Sequence, residues 1–337
     1  MSVAETKSGP SRLSLTAMPQ RGTLSVFELV LFSACILLVL ANIPTSFLDI
    51  VVLTFLWAGL ALAWNIAGGY AGLISFGHAA FFGIGAYSST ILLLNYNVTP
   101  WIGLWLGGII SAFCGAILAL ICARLRGPFF ILSTLAVAEV VRIVALNWAS
   151  VTGGPEGLSI MPVPNIANMV FSSKTVYAWL MLAYLVLVYA LTKMLEASRY
   201  GYYFFAVRDD EEAASAAGVS PLTMRMLAMA LSAALTGIGG SLFAQYFLYL
   251  DPTFLVSPEL SFQFALLAAV GGLGTAIGPV LGSFLITPLS ELLRAYLGNA
   301  AAGLHLVIYS AGLIVVMLYF PGGIAAALNR IGRRRRS

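Results

Sequence analysis

The sequence predicts an all-α polytopic membrane protein of about ten transmembrane or half-membrane helices. Three observations carry this. The 337 residues are 60% hydrophobic, with only 9% charged, and mean hydropathy is +0.96, more apolar surface than a soluble fold has use for. Apolar runs of about 18 residues or more recur along the chain, each long enough to cross a bilayer. The basic residues gather in alternate loops, the asymmetry that marks cytoplasmic connections.

In chain order, residues 1–24 are polar, carry Lys7, Arg12 and Arg21, and lack the short apolar core of a cleavable signal. They read as a disordered cytoplasmic lead. A first span covers 27–43 and ends at Pro44; a second covers 47–66. The stretch GlyGlyTyrAlaGlyLeuIleSerPheGlyHis (68–78) interrupts the apolar pattern and leads into a third span ending near Leu94. Spans at 101–123 and 129–148 follow, separated by Arg124-Leu-Arg126-Gly-Pro128. A polar loop, 150–175, precedes a sixth span at 176–195 and the cations Lys193 and Arg199; the seventh covers 222–246. Residues 262–270 are too short to cross alone; a second glycine-rich break (271–279) separates them from 280–297, and 304–320 is the last span.

Charge sets the count. Arg124, Arg126, the 193–208 segment and the tail with Arg333 to Arg336 share one side only if the crossings are even in number. Residues 262–275 and 279–297 are therefore two short elements or one re-entrant hairpin, and both termini lie inside. The transmembrane domain is then 25–322, and 323–337 is a basic cytoplasmic tail, read as a juxtamembrane anchor and not as a nucleic-acid site. Ten spans permit a 5+5 inverted repeat, although the two glycine-rich breaks do not fall at equivalent positions.

The stretch 206–221, AlaValArgAspAspGluGluAlaAlaSerAlaAlaGlyValSerPro, holds five consecutive charges, Arg208 to Glu212. Asp209 is positioned to N-cap a short helix, with Asp210, Glu211 and Glu212 in the first turn where the dipole favours negative charge. Gly218 is a natural C′ stop, and Pro221 opens the next helix. So short a helix is marginal by itself in water, which calls for something that docks on it.

Glu139 and Arg142 are three apart on one helix face, and each ionised group within the membrane costs roughly 2.5 to 3.5 kcal/mol on insertion scales. They neutralise each other structurally or line a wet path. Ser75 and His78 lie in the first glycine-rich break, as packing and hydrogen-bonding residues or as path lining. No GxSG motif accompanies them, so a serine-protease reading has no support. Cys35, Cys114 and Cys122 sit in apolar runs without paired spacing, as small hydrophobes and not as a disulfide or metal set. None of the lysines (Lys7, Lys174, Lys193) follows a glycine, so no Walker A loop exists to cradle a nucleotide. A nucleotide-driven transporter would need another chain for its ATPase.

Five stretches together carry a resemblance: 62–87 (LAWNIAGGYAGLISFGHAAFFGIGAY), 133–143 (STLAVAEVVRI), 152–158 (TGGPEGL), 207–244 and 266–285 (LLAAVGGLGTAIGPVLGSFL). Their combination and order resemble the permease subunits of bacterial branched-chain amino acid ABC importers, the LivM type. The resemblance implies a multi-pass protein of the bacterial inner membrane. It pairs with a second, LivH-type permease, binds two ABC ATPases that hold ATP and Mg, and receives substrate from a periplasmic binding protein. It carries no cofactor and is not itself an enzyme. It further implies that Arg208, Asp209, Asp210, Glu211, Glu212, Ala213, Ala217 and Gly218 form the ATPase coupling loop. Ser75, His78, Glu139, Arg142, Thr152, Gly153 and Gly154 are candidates for the path or its gate. Other members of such families serve urea, amides or aromatic acids, and an ion-coupled secondary transporter using Glu139 and Arg142 is the alternative of a different class. That alternative predicts uptake by this chain alone in an ion gradient.

Overall fold

Thr45–Asn65 forms the axis of the molecule: from Val52 onward nearly every side chain of this helix is buried. The structure, a computed structural model, describes residues 26–41, 44–125, 127–297 and 322–326. In chain order the helices are α1 (Val26–Leu40), α2 (Thr45–Asn65), α3 (His78–Tyr96), α4 (Pro100–Ile121), α5 (Pro128–Asn147), α6 (Ala149–Thr152), α7 (Lys174–Ala197), α8 (Arg199–Asp209), α9 (Glu211–Ala216), α10 (Pro221–Phe247), α11 (Pro252–Leu255), α12 (Pro258–Gly271) and α13 (Ile277–Leu297). Among the described residues six helices are long and apolar enough to cross a membrane; α1 and α12 are shorter apolar helices. The lead 1–24, the span 304–320 with His305, and the arginines of the tail lie outside the described residues.

Contacts sort the helix ends into two groups. At one, the break end, Arg208 reaches Gly69, Asn65 reaches Thr275, and Arg225 reaches Ala123. Glu28 pairs with Lys193 there, and Gly323 abuts Gly272. At the other, the cap end, Asp49 pairs with Lys174 at 2.7 Å and accepts a hydrogen bond from Tyr246. Strands β1 (Leu158–Ser159) and β2 (Tyr249–Leu250) pair antiparallel there, Leu158 opposite Leu250. Helices α1, α3, α5, α10 and α13 therefore run from break end to cap end, and α2, α4, α7 and α12 run back. Residues 322–326 lie at the same end as Glu28, as an even number of crossings requires. Both glycine-rich breaks turn at this one end. An inverted repeat would put equivalent breaks at opposite ends, so these two are not repeat equivalents.

The interior is welded by small residues. A Cβ on Gly85 would strike the Gly237 carbonyl, and one on Gly240 the carbonyl of Phe82. On Gly107 it would meet the Gly85 carbonyl at 2.9 Å. Three backbones thus approach within van der Waals range, the way membrane helices gain packing energy where lipid offers no hydrophobic drive. Hydroxyls stitch the same seam: Ser241 donates to the Gly85 carbonyl (2.9 Å) and Ser111 to that of Phe81 (3.0 Å). Beside it, the rings of Trp57, Phe82, Phe243 and Phe264 form a cluster with centroids 5.3–6.4 Å apart.

Two expectations shift. The element read as 262–275 begins at Pro258, because the Ser257 hydroxyl accepts the Leu260 N–H and Pro258 opens the helix. The polar segment after α7 is no loop: α8 buries Gly201, Phe204 and Val207 against the bundle.

Candidate coupling surface and path residues

The charged stretch is built from two helices that meet at one residue. Helix α8 runs through Asp209, and Asp210 has an extended backbone (φ −154°, ψ 105°). Its carboxylate accepts the N–H groups of Glu212 (3.0 Å) and Ala213 (2.9 Å). Asp210, not Asp209, is therefore the N-cap of α9: Asp209 is consumed as the last residue of the preceding helix, where it pairs with Arg208 (3.0 Å). The far end closes as a Schellman turn. Gly218 adopts φ +84°, its N–H bonds to Ser215, and the Val219 N–H bonds to Ala214.

The acids divide their work. Glu211 pairs with Arg225 at 2.9 Å, which in turn donates to the Ala123 carbonyl (3.1 Å), tying α9 to α10 and to the end of α4. Ala214 is buried against the bundle, whereas Glu212, Ala213, Ala217 and Gly218 are exposed. Among the described residues Glu212 is the acid of this stretch without a hydrogen bond or ion pair from its side chain.

Arg208 points the other way, into the protein. Its Nη1 donates to the Gly69 carbonyl (2.8 Å) and its guanidinium lies 4.7 Å from the Phe205 ring centre. Gly69 belongs to a π-helical turn, Ile66–Tyr70, that continues α2. Just before it, Asn65 accepts the Gly274 N–H and donates to the Thr275 carbonyl, both at 3.0 Å. The two glycine-rich breaks are thereby stitched by one amide, and Arg208 connects them to the charged helices.

The remaining candidates do not gather at one place. His78 is fully buried; Ser232 donates its proton to the Ala63 carbonyl (2.7 Å), so His78 Nε2 carries the hydrogen that reaches Ser232 Oγ (2.8 Å). Ser75, also fully buried, accepts the Gly77 N–H (3.1 Å) and its carbonyl accepts the Trp64 indole (2.8 Å). Both sit in packed interior. Thr152 donates to the Trp148 carbonyl and receives the Gly154 N–H; Gly153 and Gly154 hold positive φ angles of 76° and 57°. They shape the cap-end loop beside β1. Arg142 and Glu139 form a two-pronged ion pair, with Nε to Oε2 at 2.8 Å. It lies in the half of α5 nearer the cap end, on the least buried of the six long apolar helices. Among the described residues no three His, Cys, Asp or Glu side chains come together as a metal site would need.

The family described as "Branched-chain amino acid transport system / permease component" matches residues 46–320. The chain belongs to this permease family. It is 30% identical over 301 residues to the high-affinity branched-chain amino acid transport system permease protein LivM of Escherichia coli, covering 82% of this chain and 69% of that protein. It is 25% identical to the probable LivM of Methanocaldococcus jannaschii (82% of this chain, 93% of that one). To LivH of Salmonella typhimurium it is 24% identical (80% and 90%). No solved structure matches significantly.

Sequence reasoning missed several residues of this permease. Asn65 had a visible signal, a lone amide at the end of a long apolar run directly before the first break. Arg225 and Glu196 had only their charge. Glu196 accepts from the Tyr70 hydroxyl at 2.6 Å and pairs with Lys193, which also holds Glu28; Lys193 and Glu196 are three apart on α7, but nothing local in the sequence links that pair to Tyr70 or Glu28.

Proposed function

We propose that this permease is the LivM-type subunit of an ATP-driven importer of branched-chain or related hydrophobic amino acids. It spans the bacterial inner membrane with the break end and both termini in the cytoplasm. It forms one half of the path with a LivH-type permease and receives substrate from a periplasmic binding protein. ATP and Mg reside on two partner ATPases, which seat α9. The cation distribution supports this orientation: Arg124, Lys193, Arg199, Arg208 and Arg225 belong to the break end, Lys174 and Arg294 to the cap end.

The observation that carries the reading is the division of labour in 208–218. One side of the helix pair is locked to the bundle through Arg208, Glu211 and Ala214, while Glu212, Ala213 and Ala217 face outward together. The anchoring stabilises a two-turn helix that is marginal by itself and makes it stiff enough to pass force to the bundle. Closure of the ATPases displaces α9, and the Arg208–Gly69 bond carries the displacement to the two breaks.

Glu212→Lys tests this, since Glu212 neither caps nor pairs. The expected result is loss of the ATPases from the purified complex, or uptake reduced about tenfold or more, one reversed interfacial charge being worth over 1.4 kcal/mol. Full assembly with normal uptake sinks the coupling role.

A further inference from the structure

Between α5, α11 and the start of α12 the cap end carries a polar cleft apart from the coupling surface. An open cleft of about 370 Å³ is lined by Thr253, Phe254, Ser257, Glu259, Leu260 and Gln263. Glu259 is exposed in the first turn of α12 and makes no hydrogen bond or ion pair among the described residues. Its charge nevertheless acts on Arg142, so the cleft and the α5 ion pair are electrostatic neighbours. Arg142 already spends two of its guanidinium nitrogens on Glu139. With one cation and two carboxylates, the group has one negative charge in excess, held on Glu259.

Along the same face toward the break end, the next contact is apolar. Phe76 and Phe262 pack with ring centres 4.2 Å apart. Phe76 belongs to the first glycine-rich break, and its N–H is held by Thr134 of α5 (3.1 Å). A charged cleft therefore gives way to an aromatic pair, one ring of which sits on the segment that Asn65 and Arg208 tie to the charged helices.

From this arrangement we infer that the cleft is an entry site for a free hydrophobic amino acid, its α-ammonium group seated on Glu259. The spare negative charge selects a cationic group, and the exposed Phe254 ring supplies an apolar wall for the side chain. The Phe76–Phe262 pair closes the route below. This inference rests on the importer reading for its ligand class.

The test is direct binding of leucine to the full-length permease in lipid nanodiscs, read by saturation-transfer NMR, with 4-methylpentanoate as the analogue lacking the ammonium group. Wild-type protein is expected to give a leucine signal. Glu259→Gln should weaken it about tenfold, the loss of one charge-assisted contact, and Glu259→Asp should restore much of it. Glu259 is exposed, so a matching thermal melt shows that the variant is folded. Equal leucine signals from wild type and Glu259→Gln, equal signals for leucine and 4-methylpentanoate, or no wild-type signal each overturn the site. Leucine uptake by the assembled importer separates the two ideas. ATP-driven uptake with no binding difference at Glu259 removes the entry site alone; absent ATP-driven uptake with intact Glu259-dependent binding removes the importer reading alone.

Discussion

Adjacent aspartates in this protein have opposite duties. Asp209 completes α8 and pairs with a neighbouring arginine at an exposed position, an interaction of the sort that contributes about 0–1 kcal/mol. Asp210 holds two backbone N–H groups of α9 that have no other partner. Asp210→Ala is therefore expected to cost about 1 kcal/mol of local helix stability, as loss of an N-cap does, and Asp209→Ala much less. Hydrogen exchange of the Glu212 and Ala213 amides checks this; equal protection in the two variants contradicts the assignment. Composition gave the presence of a cap and an acidic first turn. It could not say which aspartate served, because that depends on where α8 stops, and α8 is held by the burial of Phe204 and Val207 against a bundle that local sequence does not contain.

At the scale of elements, the long apolar helices were legible because each is an apolar run of 19 residues or more, long enough to cross a bilayer. Helix α8 was not: its sequence, ArgTyrGlyTyrTyrPhePheAlaValArgAsp, mixes aromatic and charged residues without a strong period. Helix α12 started earlier than its apolar run, since Ser257 and Pro258 set the start. The close packing of α3, α4 and α10 was visible only as a high glycine count, with no indication of which glycines met. Gly85→Val is the expected breaking change: two extra methyl groups and a Cβ are driven onto the Gly237 backbone, which cannot yield as a side chain could. Overpacking of even yielding cores costs about 1–3 kcal/mol, so loss of folded yield is expected, read by size-exclusion chromatography and thermal melts. Gly127→Ala provides the comparison. Its φ is positive, but nothing lies within 4 Å of its added Cβ, so its effect is limited to backbone strain and folded yield persists.

For the whole molecule, orientation follows from two ends of different chemistry. The break end carries most of the cations and the anchored charged helices; the cap end carries the β1–β2 pair, the Asp49–Lys174 bridge and the cleft. Single cysteines at 174 and 212, in a background freed of Cys35, Cys114 and Cys122, are expected to react with a membrane-impermeant maleimide from opposite sides. In intact cells stripped of their outer membrane, position 174 labels and position 212 does not. The reverse pattern inverts the topology, and labelling of both from outside contradicts an odd number of crossings between them. The sequence made this parity legible through its arginines. It did not make legible that the two glycine-rich breaks, about 200 residues apart, touch through Asn65, since no local pattern encodes a contact at that separation.

The π turn at Ile66–Tyr70 has a consequence of phase. Such a turn holds one residue more than an α turn, so it sets the angle at which the chain of the first break leaves the helix axis. Removing Ala67 lets α2 run on as ordinary helix, and each residue of offset turns the Gly69 carbonyl by about 100° about that axis. Arg208 then loses its acceptor although no contact residue has been changed. If the chain couples to partner ATPases as proposed, an importer assembled with this deletion is expected to hydrolyse ATP on those partners without moving substrate; uptake measured against hydrolysis in the same proteoliposomes reads the slip directly.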